Sequence, residues 1–141
     1  MIGYLDTSAI VPLLVDEPTS AACRRFWDDA DDVVSCRLAY VEAAAALAQG
    51  RRMGRLDAAR HEQARELLDV VWSELDVIEV DDRLVRAAAD AAHGAALRGY
   101  DAVHCVAAEQ LLEDDLVAAS GDRQLLRAWQ ERGVSVYDTA E

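Results

Sequence analysis

The chain alternates short continuous apolar runs with longer stretches in which apolar residues recur three and four positions apart. The first pattern is typical of buried strands, and the second is typical of helices that turn one face to a core. Five apolar runs are predicted to be strands, at residues 1–6, 33–36, 77–80, 116–120 and 134–137. Because helical stretches separate consecutive runs, the sequence predicts one α/β domain, residues 1–141, whose five short strands are mainly parallel.

Helix start and stop signals divide the remaining sequence. Pro18 suits a first-turn position of a helix over residues 16–28, and Asp57 is a good cap for a long helix that continues through Trp72. Gly99 separates two helices, and a glycine at 133 ends the last one. The predicted helices cover residues 7–15, 16–28, 37–50, 57–72, 84–97, 99–112 and 123–132. The predicted buried stripe of the third helix consists of Leu38, Val41, Ala45 and Ala48.

Length and cysteine content narrow the class of protein. A chain of 141 residues can bury a core without disulfides or a structural metal. Cys23, Cys36 and Cys105 are odd in number and lack C-x-x-C spacing, so they are predicted to be buried thiols and not a disulfide framework or a zinc site. Met1 leads straight into a strand, and no apolar run approaches the roughly 18 residues of a membrane span, so we expect a soluble cytoplasmic protein.

Charge restricts how this protein could meet a nucleic acid. The formal net charge is -13, from 27 acidic residues and 14 basic residues that are all Arg. An acidic surface repels nucleic acid at long range, so such a substrate would need local Arg clusters or bound cations. The absence of Lys fits either GC-rich codon usage or the bidentate phosphate binding of Arg, and an acidic surface also suits a basic protein partner.

Two aspartates lie where predicted strands end. Asp6 ends the first strand, and Asp122 comes after the strand at 116–120, where another helix begins. Ligands of open α/β sheets bind outside the carboxyl ends of the strands, so a carboxylate there indicates a binding or catalytic role. The alternative for Asp6 is a helix cap, although Thr7 and Ser8 are also good caps and are expected to serve in that way.

Two further acids lie on predicted helices. Glu42 shares the predicted apolar face, where an ionised carboxylate is costly unless it is paired or binds a metal. An Arg37 partner, or a position at the edge of solvent, would also explain it. Asp101 lies in a first helical turn and faces inward with Cys105, although a first-turn Asp also complements the helix dipole. For His104, one turn later, packing beside apolar residues is a more common role than catalysis.

Dense charge elsewhere has simpler explanations. Residues 28–32 contain four Asp and are predicted to form a solvated turn, because consecutive exposed charges point in different directions. Arg51, Arg52 and Arg55 form the densest basic stretch, in a predicted turn between two helices. They could bind phosphate, or they could complement the dipole at a helix C-terminus.

Together these motifs resemble the PIN-domain family, and within it the toxin ribonucleases of bacterial toxin–antitoxin pairs. The resemblance covers the whole chain. It is carried by residues 4–9 (Tyr-Leu-Asp-Thr-Ser-Ala), Glu42, residues 99–104 (Gly-Tyr-Asp-Ala-Val-His) and residues 120–125 (Ser-Gly-Asp-Arg-Gln-Leu). The fourth motif departs from the family at Gly121, where another residue often stands between the hydroxyl and the Asp. The family implies a three-layer α/β/α fold with a parallel sheet of five strands between helices.

The resemblance also implies a site. The expected metal ligands and catalytic residues are Asp6, Glu42, Asp101 and Asp122 around Mg²⁺ or Mn²⁺, with Asp122 holding a second ion or an ordered water and with Ser8 and Ser120 as hydrogen-bonding neighbours. Such an ion lowers the pKa of a water, whose in-line attack on RNA leaves a 5′-phosphate and a 3′-hydroxyl. The expected substrate is structured RNA, and its expected phosphate contacts are Arg51, Arg52 and Arg55.

The family implies partners and leaves alternatives open. A cognate antitoxin with a basic segment is expected to bind the acidic site, and the toxin is expected to form a homodimer. A free-standing PIN nuclease and a catalytically inactive PIN interaction module are the alternatives. A phospho-acceptor receiver domain needs an active-site Lys, which this chain lacks. No partnered nucleophile supports an acyl-enzyme or cysteine hydrolase.

Overall fold

Five strands and seven helices make up residues 1–112 and 114–141, the part of the chain that a computed structural model describes. The strands are β1 (Ile2–Leu5), β2 (Asp32–Cys36), β3 (Asp76–Ile78), β4 (Leu116–Ser120) and β5 (Ser135–Asp138). The helices are α1 (Thr7–Leu14), α2 (Ser20–Asp29), α3 (Leu38–Arg52), α4 (Ala58–Glu74), α5 (Asp82–Ala95), α6 (Gly99–Glu109) and α7 (Arg123–Glu131). The predicted order of strands and helices is confirmed.

Strand β1 lies at the centre of a parallel sheet with the strand order β3-β2-β1-β4-β5. Residues 2–4 pair with residues 32–34 on one side, and residues 2–5 pair with residues 116–119 on the other. The chain moves outward from β1 through β2 and β3, and then returns to the opposite side of β1 for β4 and β5. This reversal makes the β1/β4 boundary the topological switch point, beyond which α/β sheets of this kind bind ligands.

Helices cover both faces of the sheet, which gives the three-layer α/β/α fold implied by the family resemblance. Successive side chains of β1 point to opposite faces. Tyr4 belongs to the core formed with α5, α6 and α7, and Leu5 belongs to the core formed with α1, α2, α3 and α4. A Cβ at Gly3 would lie 2.9 Å from the ring of Phe26, so α2 packs directly on the sheet because residue 3 is a glycine.

Several predicted boundaries are wrong by a few residues. Helix α2 begins at Ser20 and not at residue 16, because the residues before it form a turn. Helix α3 continues further than predicted, so Arg51 and Arg52 lie in its last turn and not in a loop. Strand β3 ends early, at Ile78. The predicted acidic turn at 28–32 is divided between the end of α2, a short link and the start of β2.

The predicted buried face of α3 is also wrong. Val41 is 58% exposed, whereas Ala39, Ala43 and Leu47 are buried. The helix contains so many alanines that apolar residues occur all round it, and the helical period does not select a face. Packing against the neighbouring elements makes the selection, and it places Glu42 beside Ala43 at the edge of the buried face.

Other local predictions are confirmed. Asp57 caps α4, as predicted, by accepting the backbone N–H of Arg60 at 2.8 Å. Asp81 caps α5 in the same way, by accepting the N–H of Leu84 at 2.9 Å. The three cysteines are buried free thiols. Within the described ranges, no helix is both long enough and apolar enough to cross a membrane.

Candidate active site

Asp6 lies at the carboxyl end of β1, at the β1/β4 boundary. Its backbone has φ -78° and ψ 178°, and its side chain accepts a hydrogen bond from the backbone N–H of Ala9 at 3.1 Å, so Asp6 itself caps α1. The expectation that Thr7 and Ser8 provide this cap is therefore wrong. The Thr7 hydroxyl donates to Glu42 and the Ser8 hydroxyl donates to Asp6. One Asp6 oxygen serves the cap, which leaves the carboxylate able to take part in a site as well.

Two serine hydroxyls hold the buried carboxylate of Asp6. Ser8 Oγ donates to Oδ1 at 2.7 Å, and Ser120 Oγ, at the end of β4, donates to Oδ2 at 2.6 Å. The same two hydroxyls accept hydrogen bonds from the backbone N–H groups of Gly121 and Asp122, at 2.8 and 2.9 Å. These bonds join the carboxyl ends of β1 and β4 into one polar layer.

Burial raises the pKa of Asp6, which is 4% exposed. The charge of His104 and the hydrogen bonds from Ser120, Ser8 and the Ala9 N–H act in the opposite direction without cancelling the effect of burial. The ionised carboxylate is therefore not fully compensated by the protein. A bound cation would supply the missing positive charge.

Asp101 and Asp122 share one arginine. Asp122 caps α7, because its Oδ1 accepts the backbone N–H groups of Gln124 and Leu125 at 2.9 and 3.1 Å, and its Oδ2 lies 3.5 Å from Arg98 Nη2. Asp101 lies in the first turn of α6, and its nearly buried side chain is 3.3 Å from the same nitrogen. A single guanidinium therefore faces two carboxylates.

The charges of two neighbouring aspartates act on Asp101. Burial raises the pKa of Asp101, the negative charges of Asp122 and Asp6 raise it further, and Arg98 opposes them. Sequence reasoning missed Arg98, although a basic residue three positions before a helical Asp is a detectable pairing signal. The Arg98 side chain is 64% exposed and its Cζ lies 4.9 Å from the ring centroid of Tyr100, so it reaches the acids from the solvent side.

Glu42 is paired with a histidine and not with an arginine. Its Oε1 accepts hydrogen bonds from His104 Nε2 at 2.7 Å and from Thr7 Oγ1 at 2.8 Å, while Arg37 pairs with Glu79. The suggested Arg37 partner is therefore wrong. His104 is buried, in agreement with the packing role, and it also donates a hydrogen bond to Glu42. The other alternative, a position at the edge of solvent, is correct, because the Glu42 side chain is 19% exposed.

The four predicted acids lie along one edge of the sheet, but they do not form a closed cage. The three aspartates make one group, and Glu42 joins it through Thr7, which directly follows Asp6. In the part of the chain that is described, no three Asp, Glu, His or Cys side chains form a ready-made metal cage. Mg²⁺ seldom uses such a cage, because it keeps several waters and binds one or two carboxylates together with substrate phosphates. The hard oxygen donors at this edge fit a cation of that kind.

The predicted phosphate contacts lie at the C-terminal end of α3 and in the turn that follows it, away from Glu42. Arg51 and Arg52 are the last two residues of α3. Arg51 lies nine positions beyond Glu42, which corresponds to about 14 Å along the helix axis. Arg55 follows in the turn that leads to α4, and these side chains, like that of Arg52, are exposed. Their position at a helix C-terminus agrees with the dipole alternative. Phosphate binding by these arginines stays a prediction.

The fold and the acidic edge define a three-layer α/β/α domain with carboxylates at its topological switch point. The profile of the PIN domain matches residues 3–129. The chain is also 36% identical over 122 residues to Ribonuclease VapC45 from Mycobacterium tuberculosis (strain CDC 1551 / Oshkosh), in an alignment that covers 86% of this chain and 85% of that protein. The chain belongs to the PIN domain family, as the resemblance of its motifs predicted.

Solved structures share the fold over the full length of the chain. FitAcB from Neisseria gonorrhoeae superposes with a TM-score of 0.73 and 18% sequence identity, over 100% of this chain and 99% of that one. A chain of a toxin-antitoxin complex from Klebsiella pneumoniae superposes with a TM-score of 0.66 and 11% identity, over 97% of both chains. At these identities the structures support the architecture alone.

Proposed function

We propose that this protein is a Mg²⁺- or Mn²⁺-dependent endoribonuclease and the toxin of a toxin–antitoxin pair. The observation that carries the proposal is the group of carboxylates at the β1/β4 switch point, where burial raises the pKa of Asp6 and of Asp101. Carboxylates whose charge the protein leaves partly uncompensated favour a divalent cation, and such a cation suits the cleavage of phosphodiesters. The name of the relative Ribonuclease VapC45 supports RNA as the substrate.

The oxygen donors of the site would hold the cation. The proposed ligands, direct or through water, are Asp6, Glu42 and Asp101, with Asp122 holding an ordered water or a second ion. When bound, the ion would lower the pKa of a coordinated water and would place positive charge beside the scissile phosphate.

The remaining contribution of the chain is orientation and charge. Ser8 and Ser120 hold both oxygens of Asp6, so this carboxylate is oriented before a substrate arrives. Arg98 contacts two aspartates, and its exposed guanidinium can move to a phosphate oxygen of RNA once a cation compensates those aspartates. Attack by water, and not by the ribose 2′-hydroxyl, leaves a 5′-phosphate and a 3′-hydroxyl.

RNA cleavage is expected to require Mg²⁺ or Mn²⁺. Protein that has been stripped with EDTA and dialysed is expected to cut a structured RNA only after one of these ions is restored, because the uncompensated carboxylates repel the substrate phosphate. Gel electrophoresis gives the rate, and end mapping gives the chemistry of the new termini. Glu42→Gln protein, purified in parallel, controls for a contaminating ribonuclease. Cleavage that persists in EDTA, or products with 2′,3′-cyclic phosphates, would contradict the proposal.

The toxin assignment implies an inhibiting protein partner. A structure with the same fold is a toxin-antitoxin complex. An acidic site in a chain of net charge -13 attracts an Arg or Lys from a partner, which would pair with the carboxylates. Leu38, Val41 and Trp72 line an apolar groove between α3, the helix that carries Glu42, and α4, and this groove suits an amphipathic segment. We propose that a basic segment of an antitoxin binds here and that the toxin is a homodimer.

Co-expression tests this partner. The product of the neighbouring short reading frame is expected to restore the growth that this protein suppresses when expressed alone, because it blocks the acidic site. The two proteins are expected to co-purify, and light scattering on the purified species measures whether it contains two toxin chains. Asp6→Asn is the matched control and is expected to be harmless without the partner. A wild-type chain that is harmless alone and binds no basic protein would point instead to a free-standing nuclease or an inactive relative.

A further inference from the structure

His104 lies inside the protein with both ring nitrogens engaged. The residue is 2% exposed, and its helix, α6, packs against β2. Its Nδ1 is 2.8 Å from the hydroxyl of Tyr4, which is fully buried on β1, and its Nε2 is 2.7 Å from Oε1 of Glu42 on α3. Hydrogen bonds therefore run from the centre of the sheet, through the imidazole, to one of the proposed ligands.

The carboxylate of Glu42 determines which ring nitrogen of His104 carries a proton. An ionised carboxylate only accepts hydrogen bonds, so His104 carries a proton on Nε2 whether its imidazole is neutral or charged. Tyr4 contacts the other ring nitrogen, and Tyr4 itself packs edge-on against Trp129 with ring centroids 5.9 Å apart. These contacts prevent the imidazole from turning, so the donor that faces Glu42 is held in place.

The protein engages only one oxygen of Glu42. Oε1 accepts a hydrogen bond from Thr7 Oγ1 as well as from His104, whereas Oε2 accepts none from residues 1–112 and 114–141. A glutamate at the edge of a helix ordinarily samples several rotamers. Two donors on a single oxygen restrict this freedom and leave the second oxygen for a ligand.

We propose that His104 is a positioning residue that, together with Thr7, orders the carboxylate of Glu42 so that Oε2 is free to bind a divalent cation. This inference rests on the proposed function, because it concerns a ligand of the proposed cation. A side chain that is ordered before binding loses less entropy when the cation arrives, so the hydrogen bond from His104 contributes to cation affinity. A histidine that served only to fill space would contribute to stability and leave this affinity unchanged.

Isothermal titration calorimetry of Mn²⁺ alone into the full chain distinguishes a positioning role of His104 from a space-filling role. His104→Leu removes the donor and keeps an apolar side chain in its place, and we expect Mn²⁺ affinity to fall about 10- to 100-fold, as is usual when such a partner is removed. His104→Gln restores an N–H donor close to the position of Nε2 and is expected to bind Mn²⁺ nearly as tightly as the wild type. Val106→Ala, a truncation on the same helix, is the matched packing control and is expected to leave the affinity unchanged.

RNA cleavage provides a second measurement. The kcat of His104→Leu is expected to fall at low Mn²⁺ concentration and to recover as the Mn²⁺ concentration rises, because the variant binds the ion weakly but keeps all four acids. The KM for RNA is expected to stay constant across this series, since His104 is buried and does not reach the substrate.

The outcomes distinguish this inference from the proposed function. Equal Mn²⁺ affinity in folded His104→Leu and in the wild type would overturn the positioning role and leave the proposed function intact. A wild-type chain that binds no Mn²⁺ would overturn both. Where His104→Leu does not fold, Thr7→Val takes its place, because it removes the second donor at a partly exposed position. Weaker Mn²⁺ binding by Thr7→Val supports the inference, and unchanged binding contradicts it.

Discussion

Asp6→Asn is expected to reduce RNA cleavage by about three orders of magnitude or more without lowering the stability of the metal-free protein. Loss of this carboxylate charge weakens binding of the cation. The cation stabilises the charge of the transition state by several kcal/mol, and each ~1.4 kcal/mol corresponds to about tenfold in rate. Asn has nearly the shape of Asp and caps helices as well, so the hydrogen bond from the Ala9 N–H is retained.

The expected stability of this variant follows from the direction of a pKa shift. Burial raises the pKa of Asp6 above its ordinary value of 3.8, in spite of the hydrogen bonds from Ser8 and Ser120. A carboxyl whose folded pKa exceeds its unfolded pKa lowers the free energy of unfolding as the pH rises past the unfolded value, and it has no such effect below it, where both states are protonated. At neutral pH the uncharged amide removes this penalty. The melting temperature in EDTA is therefore expected to equal or exceed that of the wild type.

Asp57→Asn is the matched control for this substitution. Asp57 caps α4 with φ -81° and ψ 176°, nearly the backbone geometry of Asp6, and it accepts the N–H of Arg60. It lies at the turn after α3 and is expected to be irrelevant to catalysis, so this variant should cleave RNA at the wild-type rate. Cleavage in excess Mn²⁺ and differential scanning calorimetry measure the two effects. An Asp6→Asn protein that stays active, or that melts several degrees lower than the wild type, would show that Asp6 is mainly a structural cap.

Trp129→Ala is expected to lower the free energy of unfolding by about 4 kcal/mol. Trp129 is fully buried on α7, its Nε1–H donates to the carbonyl oxygen of Cys105 at 3.2 Å, and its ring packs edge-on against Tyr4. Truncation leaves a cavity among α6, α7 and β1 that the surrounding helices can fill only in part. Since a domain of this kind has a total stability of ~5–15 kcal/mol, the variant is expected to lie close to unfolding at moderate temperature.

The same truncation at Trp72 serves as the comparison. Trp72 is partly exposed on α4 and packs against Tyr40 with ring centroids 5.4 Å apart, so less apolar surface returns to water when it is removed. We expect Trp72→Ala to cost less than half as much as Trp129→Ala. The free energy of unfolding of both variants is measured by urea denaturation, which is monitored by circular dichroism so that the measurement does not depend on tryptophan fluorescence. Equal losses would contradict the assignment of Trp129 to the central core.

The strands and their order along the chain could be predicted because they depend on local pattern. Strands of a parallel sheet that is covered on both faces must be apolar on both sides, and each of the five short apolar runs became a strand. Parallel strands also end at the same edge of their sheet, so the positions of Asp6 and Asp122 after β1 and β4 placed both acids at that edge. Helix caps such as Asp57 depend on three neighbouring residues and could be predicted for the same reason.

The local sequence pattern gave wrong predictions where several structural arrangements satisfied it equally well. The alanine-rich sequence of α3 offers an apolar surface on every side, so the exposed position of Val41 followed from packing and not from the helical period. At the start of α1, three consecutive residues could each cap the helix. Asp6 is the cap because Thr7 and Ser8 already lie inside the helix, where their hydroxyls donate to Glu42 and to Asp6.

The sequence by itself determined which acids stand at the ends of β1 and β4 and in the first turn of α6, whereas packing set the position of Glu42 at the edge of the buried face of α3. Only the tertiary structure decided which groups hold them. His104 meets Glu42 across 62 residues of sequence and Tyr4 across 100, and Arg98 reaches Asp122 across 24. No spacing rule predicts contacts at such separations, because each depends on how distant helices pack on the same sheet. The carboxylates could therefore be predicted from the sequence, whereas their donors and counter-charges are a product of that packing.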